Sequence, residues 1–60
     1  MIRTIAVLDD EEDILELLRT YLTRAGFKVI ALAEPEKFFK VVAQEPPDLI
    51  LLDLMLPGTD

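Results

Sequence analysis

The sequence predicts an α/β protein built on a small parallel sheet, and three observations carry that expectation. Two short, wholly apolar runs, Ile5-Ala6-Val7-Leu8 and Leu49-Ile50-Leu51-Leu52, are each followed at once by aspartate. Between them lie two segments of helical periodicity, separated by a third short run of strand character. Strand and helix alternating in this way imply parallel strands joined by right-handed crossovers.

Ile5–Leu8 is too short for a typical helix, and its hard stop at Asp9 and Asp10 favours a strand covered on both faces. The helix that follows carries Ile14, Leu17, Leu18, Tyr21, Leu22 and Ala25 at three- and four-residue steps, one apolar stripe with Glu16 and Arg19 or Thr20 opposite. Asp10 is the expected cap, the acidic residues after it suit the positive end of the helix dipole, and Gly26 is the expected stop. Phe27, Val29 and Ala31 then alternate with Lys28 and Ile30, as suits an edge strand. Glu34-Pro35 opens a second helix with proline at its favoured first position. Phe38, Val41 and Val42 form its apolar face, which Phe39 widens, and Pro46-Pro47 ends it. Leu49–Leu52 is the third strand, closed by Asp53, and Leu56-Pro57-Gly58 reads as a turn.

The 60 residues make one small domain, with no repeat, low-complexity tract or internal linker. A chain of this size buries only about 60% of its unfolded surface. Yet 52% of its residues are hydrophobic, so the sheet must be covered on both faces or give apolar surface to a partner. Without cysteine, neither a disulfide nor a thiolate metal site adds stability. Twelve acidic residues against six basic give a net charge of −6, which argues against nucleic acid and anionic membrane surfaces as partners. No apolar run approaches the roughly 20 residues that span a bilayer, and the N-terminus lacks a secretory pattern. A soluble cytoplasmic protein is therefore expected.

The chemistry should gather at the carboxyl ends of the strands, where ligands bind in open parallel sheets. Asp9 and Asp10 end the first strand and Asp53 the third. If those strands are neighbours, three carboxylates share one rim, a costly arrangement unless a cation joins them. Oxygen-only ligation suits a hard ion such as magnesium, which typically takes one or two carboxylates plus waters and a phosphate. Taken singly, the features are bland: an acidic pair before a helix is more often a cap, and an aspartate after a strand a turn former.

The stretch "VLDDEEDILELLRTYLTRAGFKV", followed by "PDLILLDLMLPGTD", resembles the N-terminal half of a bacterial two-component response-regulator receiver domain. The resemblance covers essentially the whole chain. It implies a flavodoxin-like half-domain over residues 1–60, βαβαβ, with a three-stranded parallel sheet in the order 2-1-3. It implies a signalling module rather than an enzyme, acting in a phosphorelay. Asp53 would be the phosphoacceptor, taking a phosphoryl group from the phosphohistidine of a sensor histidine kinase or from a small phosphodonor. Asp9, Asp10 and Asp53, with the backbone carbonyl of Met55, would hold Mg2+ or Mn2+.

Complete receivers are roughly twice this length and carry a Ser or Thr after the fourth strand and a Lys after the fifth. Neither can be assigned here, since Lys28, Lys37 and Lys40 lie in other segments. The third strand would become an open apolar edge. A homodimer is therefore expected, through Leu49–Leu52 and the apolar helix faces. The alternative reading is a self-associating structural half-domain without signalling chemistry. A metal-dependent phosphatase also uses a strand-end aspartate but commonly wants a second acid two positions on, where this chain has Met55.

Overall fold

The structure is a computed structural model that describes residues 1–52. It contains β1 (Thr4–Leu8), α1 (Glu12–Arg24), β2 (Lys28–Leu32), α2 (Pro35–Gln44) and β3 (Leu49–Leu52). The three strands form one sheet in the order β2-β1-β3, with β1 parallel to both neighbours. This is the order expected of a receiver-type half-domain, and it places the most buried strand in the centre. Register is in step across the sheet: Leu8 is opposite Leu32 on one side and Leu52 on the other.

Alternation along β1 divides the core into two layers. Ile5 and Val7 point to one face, where Leu15 of α1 completes a buried cluster and Leu18, Leu22, Phe27, Val29, Ala31 and Leu51 pack around it. Ala6 and Leu8 point to the other, against Phe38 of α2, with Ile30, Leu32 and Val42 around them. The helices therefore cover opposite faces, which is why β1 can be apolar and buried from Ile5 to Leu8. Phe38 is wholly buried, while the adjacent Phe39 is exposed and meets it edge-on, ring centroids 5.5 Å apart. Phe39 thus extends the apolar face of α2 only by touching Phe38.

In α1 the apolar stripe is set differently from the expectation. Leu15, absent from the predicted stripe, is its buried residue, and Leu18 and Leu22 join it on the sheet. Ile14, Leu17 and Tyr21 are exposed, and so is Ala25. The helix carries two adjacent apolar rows, 14/17/21 and 15/18/22, about 100° apart, and periodicity alone gives their combined width but not which row faces inward.

The end of α1 follows the sequence. The Phe27 N–H bonds to the Leu22 carbonyl and the Gly26 N–H to the Thr23 carbonyl, both at 3.0 Å, the two bonds of a Schellman motif. Gly26 has φ of 98°, and no atom lies near the position of a Cβ there, so the backbone conformation alone demands glycine. Pro35 is the first residue of α2, as expected. Before β3, the Asp48 N–H bonds to the Thr4 carbonyl at 2.8 Å, and the Thr4 N–H donates to Asp48 Oδ2 at 2.7 Å.

Candidate functional site

The run Asp9-Asp10-Glu11-Glu12-Asp13 leaves the carboxyl end of β1 and enters α1. Its crowded charges are separated by geometry. Asp9 is turned inward and is only 6% exposed, whereas the next four residues are exposed. The Asp9 N–H bonds to the Leu32 carbonyl at 3.2 Å, extending the β1–β2 ladder one residue past the strand. Its Oδ1 accepts a bond from the Glu11 N–H at 2.8 Å. This short side-chain-to-backbone loop holds Asp9 at the rim and turns the chain toward the helix.

The expected cap is corrected here. Glu11, not Asp10, occupies the N-cap position, and no side chain caps the helix. The carboxylate nearest β1 is drawn instead into the turn preceding the helix, because Asp9 lies within reach of an amide two residues on. Glu12 and Asp13 fall in the first turn of α1, where the dipole favours them, as the sequence indicated. Asp10 is left exposed beside Asp9 at the mouth of the rim.

Asp53 and Met55 lie outside the described residues, as does the expected Leu56-Pro57-Gly58 turn. The strand that leads to Asp53 is described: β3 is the immediate neighbour of β1, and its last residue, Leu52, is paired with Leu8, the residue before Asp9. The first and third strands are thus adjacent, as a shared acidic rim requires. Among the described residues no three metal-ligating side chains come together. The donors at the rim are carboxylate oxygens, and Asp9 gives one bonding direction to Glu11 out of about four that a carboxylate offers. Such a donor set fits a hard divalent cation.

Comparison with known proteins agrees with the geometry. The family model described as the response regulator receiver domain matches residues 5–60. The chain is 47% identical over 60 residues to the alkaline phosphatase synthesis transcriptional regulatory protein PhoP of Bacillus subtilis, covering 100% of the chain and 25% of that protein. It is 43% identical over 58 residues to the transcriptional regulatory protein GltR of Pseudomonas aeruginosa, covering 97% of the chain and 24% of the relative. It is 45% identical over 56 residues to the transcriptional regulatory protein BaeR of Escherichia coli, covering 93% and 23% respectively. The chain therefore spans about a quarter of the length of these curated relatives. With strand order, acidic rim and family match in agreement, the chain belongs to the response regulator receiver domain family.

Proposed function

We propose that this chain is the phosphoacceptor and magnesium-binding part of a receiver domain in two-component phosphorelay signalling, acting in the cytoplasm. The observation that supports it best is the pairing of Leu8 with Leu52, which brings the strand leading to Asp53 alongside the strand that ends at Asp9 and Asp10. A carboxylate oxygen of Asp53 attacks the phosphorus of a phosphohistidine on a sensor histidine kinase. The P–N bond breaks, its electron pair returns to the imidazole nitrogen, and an aspartyl phosphate remains. Asp9, Asp10, Asp53 and the backbone carbonyl of Met55 would hold Mg2+, or Mn2+ in its place. The ion would supply neutralisation of the phosphoryl oxygens, on which phosphoryl transfer mainly depends. The described residues contribute position: the Glu11 amide fixes the Asp9 carboxylate, and burial keeps it at the rim. The relatives named above are transcriptional regulators, which supports transcription as the output.

Titration with Mg2+, followed by amide shifts at residues 9, 10 and 53, tests the reading. Asp53→Asn should lower affinity about tenfold or more, because one of three ionic ligands becomes neutral. Asp9→Asn should also weaken the ion while retaining an oxygen for the Glu11 amide, which separates charge from turn geometry. Incubation with acetyl phosphate should add one phosphoryl group to the native chain and none to Asp53→Asn. Unchanged Mg2+ affinity in Asp53→Asn would refute the shared site.

Homodimerisation is proposed as the fate of the outer strand. Leu49, Ile50 and Leu52 are exposed on β3, and Ile14, Leu17 and Tyr21 on α1, an unusual apolar display for a small monomer. A second copy pairing along β3 would cover the strand. Light scattering that found a folded monomer at micromolar concentration would sink this. A structural half-domain without signalling chemistry is the weaker reading, since the receiver family match runs through residues 5–60.

A further inference from the structure

The side chains of β3 do little to fix its position. All four, Leu49-Ile50-Leu51-Leu52, are large aliphatics, and three of them are exposed. Register in a sheet is ordinarily enforced by the cost of moving an apolar set from core to solvent. In β3 a shift of one residue exchanges one aliphatic side chain for another, so that cost is small. The chemistry at the rim nevertheless needs one register. A slip of one residue displaces the strand by about 3.3 Å and reverses the face on which each side chain lies. Metal–oxygen bonds for Mg2+ are held near 2.0–2.1 Å, so an offset of that size is not absorbed by the ligands.

The polar feature that distinguishes the observed register lies at the other end of the strand. Asp48 makes a reciprocal pair with Thr4, its N–H to the Thr4 carbonyl and its Oδ2 accepting from the Thr4 N–H. The residues on either side cannot reproduce it. Pro47 has no N–H to give, and neither Pro47 nor Leu49 carries a side-chain acceptor. Both neighbouring registers therefore leave the Thr4 N–H without this partner.

We propose that Asp48 is a positioning residue, the register pin of β3, which holds Leu52, the residue before Asp53, level with Leu8, the residue before Asp9. The inference rests on the site proposed above for its consequence, though not for the pin itself. Amide exchange and cross-strand contacts measured by NMR on the chain, with Mg2+ titrated separately, test it. In the native chain the Thr4 amide should be protected from exchange. D48A should lose about tenfold of that protection, weaken the Ile5–Leu49 and Leu8–Leu52 contacts, leave the Ile5–Val29 contact of β1 with β2 intact, and lower Mg2+ affinity about tenfold. D48N, whose amide oxygen still accepts, should restore all of these.

A freely exchanging Thr4 amide in the native chain would overturn the pin, and that measurement needs no variant. So would a D48A chain that keeps its β3 contacts, or one that loosens β2 and β3 equally, as a general loss of stability would. If the native chain binds no Mg2+ while the Thr4 and β3 results come out as expected, the site assignment fails and the pin stands.

Discussion

Ile30 and Ile50 are the same residue in the same relation to the centre of the sheet, and they lie in different environments. Both are paired with Ala6, Ile30 from β2 and Ile50 from β3. Ile30 packs against the cluster of Ala6, Leu8 and Phe38, whereas Ile50 is 42% exposed. The strand with the more continuous apolar sequence is the less covered one. Burial here follows where the helices lie, and both lie over β1 and β2. Among the residues of β3, Leu51 packs on the α1 cluster, and the others depend on backbone pairing with β1. Hydrophobicity therefore predicts that β3 belongs to the sheet, while polar contacts must decide how it is seated.

The largest expected effects test whether the helices distribute burial as described. Leu15→Ala should cost about 2–4 kcal/mol, because it opens a cavity between α1 and the β1 face. Leu17→Ala, two positions on, should cost less than about 0.5 kcal/mol, since Leu17 is 53% exposed. Urea midpoints of the two variants measure the difference. Equal losses would mean that Leu17 is covered as fully as Leu15, and a larger loss in Leu17→Ala would mean that the row of Ile14, Leu17 and Tyr21 faces the sheet. Next in size is the comparison between the two isoleucines. Ile30→Ala should cost about 1–2 kcal/mol and Ile50→Ala under about 0.5 kcal/mol, a gap that would close if α2 also covered β3.

These contrasts mark how much was legible in the sequence. The five elements and their alternation could be read because each is bounded by a residue with one physical meaning: aspartate after an apolar run, Gly26 with its positive φ, Pro35 opening α2 and Pro46-Pro47 after it. The pair Asp9-Asp10 could be identified as the acidic end of β1. Its internal division of labour could not, because which of two adjacent carboxylates turns inward depends on the Glu11 amide, a contact set by backbone direction. The inward half of α1 was hidden for a related reason, since two apolar rows of similar strength differ only in how the helix is rolled onto the sheet. Asp48 was hidden most completely. Its role appears only when Thr4, 44 positions away in sequence, is brought beside it.

The smallest expected effect on folding is also the one that divides the two edges of the sheet most cleanly. Ile50→Lys places a charge on β3 where the side chain is already 42% exposed, and the lysine stem can lie along the strand with its ammonium in water. Measured at concentrations too low for association, its stability should fall within about 0.5 kcal/mol of the native value. Ile30→Lys would have to bring the same ammonium out past Phe38 and Val42, at several times that cost. Association should respond in the opposite sense. Charged side chains on an exposed strand are a device by which edges resist pairing, so Ile50→Lys should shift any dimer toward monomer in light scattering while leaving the fold in place. Loss of folding in Ile50→Lys at low concentration would show that β3 is covered within one chain, and the contrast between its two neighbours of Ala6 would disappear.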